Sequence, residues 1–205
     1  MTLAPAAHPE PACFGGMLTP GWPGRSESGS VLVPLPAVIP CMPGEPLFLN
    51  GLAFHAKDEL HLTVLSTREA EALAARLPEW AWREAFEAEV WEMKHSVRAV
   101  LLHEHKPTGD EYSLITPVDC PALNRFRTRL ATDAGLELPA TLPHVTLWIR
   151  PFGRGIGLSS LAQYESCRVR ELDPDEAAPF LRGTGCDLPA AAATDNPLNT
   201  GDRNP

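Results

Sequence analysis

The sequence predicts an α+β fold, on three observations. Period-two and period-3.6 apolar patterns mix along the chain without strict alternation, unlike a regular series of parallel strand–helix units. A His-apolar-Thr-apolar tetrapeptide occurs twice, as His61-Leu62-Thr63-Val64 and His144-Val145-Thr146-Leu147, which hints at two related halves. Between Pro- and Gly-rich ends, residues 30–186 are long enough to bury a sizeable core as one domain.

Residues 1–29 are rich in Pro, Gly, Ala and Ser without apolar periodicity, the composition of a disordered segment or a loosely draped arm. From Val31 to Pro46 the chain is apolar but interrupted by five prolines. Proline has no amide to give a ladder, so an edge strand or an extended covering segment is expected there. Leu47–Phe54 reads as a first strand and Leu60–Leu65 as the strand of the first tetrapeptide. Ser66 with Glu69 has capping-box form and opens a helix, with Glu71 adding early acid and Leu73 and Leu77 one turn apart before Pro78. The pattern resumes at Trp82, Phe86 and Val90, an amphipathic stripe whose aromatics face the core and whose acids, Glu79, Glu84, Glu87, Glu89 and Glu92, face water.

Val97–His105 and Tyr112–Val118 read as a hairpin around Lys106-Pro-Thr-Gly-Asp110. Pro121 opens a helix, Leu123, Phe126 and Leu130 line its buried face, and Gly135 ends it. The second tetrapeptide strand runs from about Pro143 to Arg150. Gly153, Gly155 and Gly157 lead into a short helix near Ser159–Glu165, Cys167–Leu172 forms a last strand, and residues 187–205 form a disordered tail. Those glycines follow no Gly-x-Gly-x-x-Gly spacing and make no dinucleotide fingerprint.

With 17 Lys and Arg against 26 Asp and Glu, the net charge is -9. Nucleic acids are bound chiefly by neutralising phosphates, so long DNA or RNA is a poor partner, and a small nucleotide or RNA terminus fits better. No apolar run approaches a membrane span, and the N-terminus lacks a basic flank before an apolar stretch, so a cytoplasmic protein off the membrane is expected. The five scattered cysteines form no Cys-x-x-Cys pair, which favours reduced thiols over a disulfide framework or a zinc knot.

On a strand, alternate side chains share a face, so each tetrapeptide buries its two apolar residues and presents an imidazole beside a hydroxyl. Typical residue usage gives two such matches by chance in roughly one chain of this length in a thousand. If both strands floor one cleft, two histidines and two threonines converge. Imidazole titrates near neutrality, so one ring serves as base while the other serves as acid. In-line displacement at phosphorus needs such groups on opposite sides of the phosphorus, and threonine hydroxyls can donate to its non-bridging oxygens. The arrangement calls for no metal and no cofactor.

The two tetrapeptides, with Pro143 before the second and Arg150 two residues after Trp148, resemble the 2H phosphoesterase superfamily, which includes RNA 2',3'-cyclic phosphodiesterases and 2'-5' RNA ligase-like proteins. The segment Tyr112–His144 is similar to that family's strand-helix-strand approach to the second motif, and the resemblance spans roughly Leu47–Leu172. It implies a bilobal, pseudo-twofold body with antiparallel sheets facing a central cleft and helices outside. It further implies His61 and His144 as the acid–base pair, Thr63 and Thr146 as the phosphate-holding groups, and hydrolysis of a 2',3'-cyclic phosphate or related phosphodiester. A non-catalytic module binding nucleotides or RNA ends, and 2'-5' ligation in the same cleft, are the alternatives. A monomer is the expected state.

Other candidates carry weaker patterns. Arg150 shares the strand parity of His144 and Thr146, so it either reaches an anionic substrate at the cleft rim or ends the strand in solvent. Tyr112 either stacks a base or is a half-buried strand tyrosine. His103 and His105 share a strand face but lack a third metal ligand at a convincing spacing, and His55 and His95 read as surface residues. Arg125, Arg127 and Arg129 alternate along a helix and read as solvated charge.

Overall fold

A computed structural model describes residues 16–18, 20–35, 45–153 and 155–181. Among them are ten strands and five helices: β1 (Gly16–Leu18), β2 (Val31–Pro34), β3 (Leu47–Leu49), β4 (Leu52–Ala56), β5 (His61–Leu65), α1 (Thr67–Ala74), α2 (Glu79–Glu87), β6 (Trp91–His95), β7 (Val100–Lys106), β8 (Gly109–Asp119), α3 (Pro121–Ala134), β9 (His144–Arg150), α4 (Leu161–Cys167), β10 (Arg168–Glu171) and α5 (Pro174–Leu181). The fold is α+β, and its strand pairings are antiparallel.

The sheet runs β10-β7-β8-β9-β5-β2, with β4 and β3 continuing from the far half of β9 and β6 and β1 from the end of β8. One face is covered by α1, α2, α3 and α5. There Leu62, Val64, Leu114 and Trp148 of the strands pack against Leu73, Trp82, Phe86, Phe126 and Phe180. On the opposite face, among the described residues, only one end is covered, where Val100, Leu102 and Ile115 lie under Ile156, Leu158, Tyr164 and Cys167. The rest of that face carries the site. No helix among the described residues is long and apolar enough to cross a membrane.

Most local signals appear where the sequence puts them. Ser66 and Glu69 form a reciprocal capping box at α1, Pro121 begins α3, Gly135 caps it, and the proline-broken Val31–Pro34 is an edge strand on β5. Several expectations are corrected. Leu47–Phe54 is a hairpin and not one strand, because Asn50 and Gly51 both adopt positive φ (52° and 77°), the requirement of a tight two-residue turn. The stripe stops at Phe86: α2 ends at Glu87, Val90 is exposed, and Trp91 and Met93 are instead the buried residues of β6. The first strand of the central hairpin begins at Val100 rather than Val97, and its turn tightens to Pro107 and Thr108. Helix α5 was not expected, although Asp173 accepts from the Glu176 amide as a cap before Pro174.

Of the N-terminal arm, residues 20–29 lie along the body. The Trp22 ring meets Phe86 edge-on at 5.3 Å, and its indole N–H donates to Glu79 at 3.4 Å. Residues 1–15 and the tail at 187–205 are outside the described residues.

Candidate functional site

The two tetrapeptides lie side by side. Leu62 is registered opposite Val145 across the antiparallel β5–β9 ladder. One step either way places His61 opposite Thr146 and Thr63 opposite His144. Leu62, Val64, Val145 and Leu147 are fully buried in the helix-covered core, so all four polar side chains fall on the other face. Directly opposed side chains on one face have Cβ atoms about 5 Å apart, and the diagonal His61–His144 pair is about 7–8 Å apart. The four are related by a local twofold axis between Leu62 and Val145.

They floor a cleft of about 490 Å³. One wall is the arm, through Ser28, Ser30 and Leu32, and the opposite wall is the segment 155–159. That segment is fixed to the sheet by the Ile156 amide, which donates to Ser113 Oγ at 2.9 Å. Gly155 comes so close that a Cβ there would stand 3.2 Å from Ile149 and 3.9 Å from the Thr146 methyl, so a larger residue would crowd Ile149. Lys57 stands beside the His61–Thr146 end, its amide donating to the Leu147 carbonyl at 2.9 Å. Ser66, Thr67 and Arg68 lie beyond the Thr63–His144 end.

The two imidazoles differ in setting. His144 is buried, and its Nδ1 lies 2.8 Å from the Leu142 carbonyl. A carbonyl can only accept, so Nδ1 carries the proton and Nε2 keeps its lone pair. Burial holds the His144 pKa below the ordinary imidazole value, against the pull of that carbonyl. His61 is half-buried; burial lowers it first and the Lys57 charge next, with Glu59 opposing and His144 adding a little.

Behind this floor lies a buried ion pair. Arg127, expected to be solvated, is 6% exposed and donates to Glu69 at 2.6 and 3.1 Å, to the Val64 carbonyl at 3.0 Å and to the Pro139 carbonyl at 2.9 Å. It thereby ties the end of β5, the start of α1 and the segment leading to His144 to one point on α3. Burial alone would raise the Glu69 carboxyl, but the bonds from Arg127 and Ser66 outweigh it and hold the pKa below the usual range.

Two residues whose readings are open in the sequence, Arg150 and Tyr112, lie elsewhere. Arg150 does have the parity of His144 and Thr146, but β9 is bulged: Leu114 pairs with Trp148 while Ile115 pairs with Thr146, leaving Leu147 as an extra residue. Leu147 and Trp148 both point into the helix-covered core, and alternation past them is inverted. Arg150 therefore emerges on the face away from the cleft, 5.8 Å over the Tyr112 ring. Tyr112 itself is half-buried there, stacked on His103 at 4.5 Å and edge-on to Phe54. His103 and His105 both bond Asp110 Oδ1, at 3.0 and 2.8 Å, and hold that carboxyl low. His55 packs against Phe152, and the side chain of His95 is outside the described residues.

Sequence reasoning missed Lys57, Arg68, Ser28 and Ser30. Each is a lone polar residue with no periodic context; the pairing of β2 and β4 with their neighbours brings Ser28, Ser30 and Lys57 to the cleft, and α1, starting just after β5, brings Arg68. Searched against family models, curated proteins and solved structures, the chain matches none.

Proposed function

We propose that the protein is a metal-independent phosphodiesterase of the 2H type, hydrolysing a 2',3'-cyclic phosphate or a related phosphodiester on a small nucleotide or RNA end. The observation that carries this reading is the antiparallel pairing of the two tetrapeptides, which aligns His61, Thr63, His144 and Thr146 on the floor of one cleft. The local twofold relation of the copies also supports the bilobal, pseudo-symmetric arrangement of that family.

In the proposed reaction a phosphate lies between the diagonal histidines. Neutral His144, with its Nε2 lone pair free, takes a proton from water as the water oxygen bonds to phosphorus. The opposite phosphorus–oxygen bond breaks, and protonated His61 gives its proton to the leaving oxygen, producing a phosphomonoester. Solvent exchange resets both rings. Thr63 and Thr146 donate to the non-bridging oxygens, where charge builds in the transition state. The same groups run in reverse would join ends, which is the ligase alternative.

The test is turnover of nucleoside 2',3'-cyclic phosphates by the purified protein. Removing a general acid or base costs about 10²–10⁴-fold, so His61→Ala and His144→Ala should each lose activity on that scale while melting like the parent. Near-parental turnover in either variant would overturn the mechanism. Binding of cyclic nucleotides and RNA termini without any turnover would select the non-catalytic module instead.

A further inference from the structure

We propose that the cleft holds a second anionic group of its substrate at Arg68, one sugar unit away from the reacting phosphate; this rests on the phosphodiesterase reading above. The protein carries nine more acidic than basic charges, yet among the described residues no carboxylate lines the cleft. Its charged lining is Lys57 and Arg68, together with the two histidines. Neither cation has an ion-pair partner among the described residues. Elsewhere Arg83, Arg98, Arg125, Arg129 and Arg170 each hold a carboxylate, as buried Arg127 does. Arg25, Arg76, Arg150 and Arg168 also lack an ion pair among the described residues, but of the unpaired cations only Lys57 and Arg68 line this cleft, whose described lining holds no opposing carboxylate, and that makes it a site for negative charge.

The two cations stand at opposite ends of the floor. Lys57 lies beside His61 and Thr146, close enough for its charge to depress His61, and so serves the reacting phosphate. Arg68 lies in the first turn of α1, five residues beyond Thr63, and the first three of those residues, of strand and cap, span about 10 Å at strand rise. Its flexible side chain can fold back over part of that distance. Facing it are Ser28 and Ser30, held by a 3.2 Å hydroxyl contact to each other and by Thr67 Oγ1, which donates to the Ser28 carbonyl at 2.9 Å. A phosphodiester has one negative charge, which Lys57 and a protonated imidazole already meet. Arg68 is left for another. The substrate class is therefore a nucleotide with two phosphates across one ribose. The second is either a 5'-phosphomonoester or the diester link to a preceding nucleotide.

Binding tests this independently of turnover. Calorimetric titration should give adenosine 3',5'-bisphosphate an affinity about tenfold above adenosine 3'-monophosphate, the scale of one charge-assisted contact. Arg68→Gln should level the two ligands, and Arg68→Lys, which keeps the charge, should retain most of the difference. A dinucleotide 3'-phosphate that matches the bisphosphate assigns the second charge to the internucleotide link; one that binds like the monophosphate assigns it to a 5'-terminal phosphate. Equal affinities in the parent, a ratio that survives in Arg68→Gln, or binding of neither ligand overturns the proposal. Turnover of a nucleoside 2',3'-cyclic phosphate, measured alongside, reports separately on the phosphodiesterase reading.

Discussion

At the scale of single residues, the two imidazoles set the pH dependence. The proposed reaction needs one proton between them. Burial lowers both pKa values from 6.5, so near neutrality most molecules have neither ring protonated. Lowering the pH then fills the singly protonated form, and kcat/KM should peak on the acid side of that value; a maximum in the alkaline range would contradict the assignment. The same burial has a stability consequence. The unfolded chain takes a proton on His144 below its ordinary value, and the folded chain resists it. Stability attached to this group is therefore present above that value and lost as pH falls through it. His144→Gln should flatten the decline of melting temperature between neutral and mildly acid pH. These two histidines were legible in the sequence because a strand's alternation is local. Arg150 stayed open between cleft rim and solvent for the converse reason: a bulge belongs to the pairing of two strands, and no single strand records it.

At the scale of elements, Arg127 joins three segments that the site needs in register. Removing one partner of a buried pair leaves the other charge unpaired, at a cost of about 3–5 kcal/mol. Arg127→Met should therefore be destabilised by that amount in denaturant melts, whereas a solvated arginine would shift the midpoint hardly at all. Capping chemistry and turn residues could be read directly: Ser66 with Glu69, Pro121 and Gly135 act within a few residues of themselves. The Asn50-Gly51 turn was equally local and was overlooked inside an apolar run. The partners of Arg127 were not readable, since Glu69 is 58 residues away in the chain and the helix periodicity alone put the guanidinium in water.

At the scale of the whole molecule, the net charge of -9 opposes the approach of polyanions, while the proposed site in the cleft favours negative charge. A long RNA ending in a cyclic phosphate should be a poorer substrate than a mononucleotide at low salt, and the gap should narrow as added salt screens the surface. A gap that widens with salt would point to a nucleic-acid-binding surface instead. Chelation by EDTA should leave turnover unchanged, since imidazoles carry both proton transfers; a loss restored by zinc would displace that mechanism. The α+β class followed from the mixed periodicities, but the walls of the cleft did not, because the arm and the segment 155–159 reach it only through the tertiary fold. The local twofold relation of the tetrapeptides also means that the floor of the cleft is a palindrome. Read from either end it offers the same imidazole and the same hydroxyl, so by itself it cannot tell the attacking side of a phosphate from the departing side. Orientation has to be imposed by what is unequal around it: Lys57 at one end, Arg68 at the other, one histidine sealed in and one half open. In the proposed reaction the four central residues supply the power to cut, and their asymmetric neighbours decide which bond is cut.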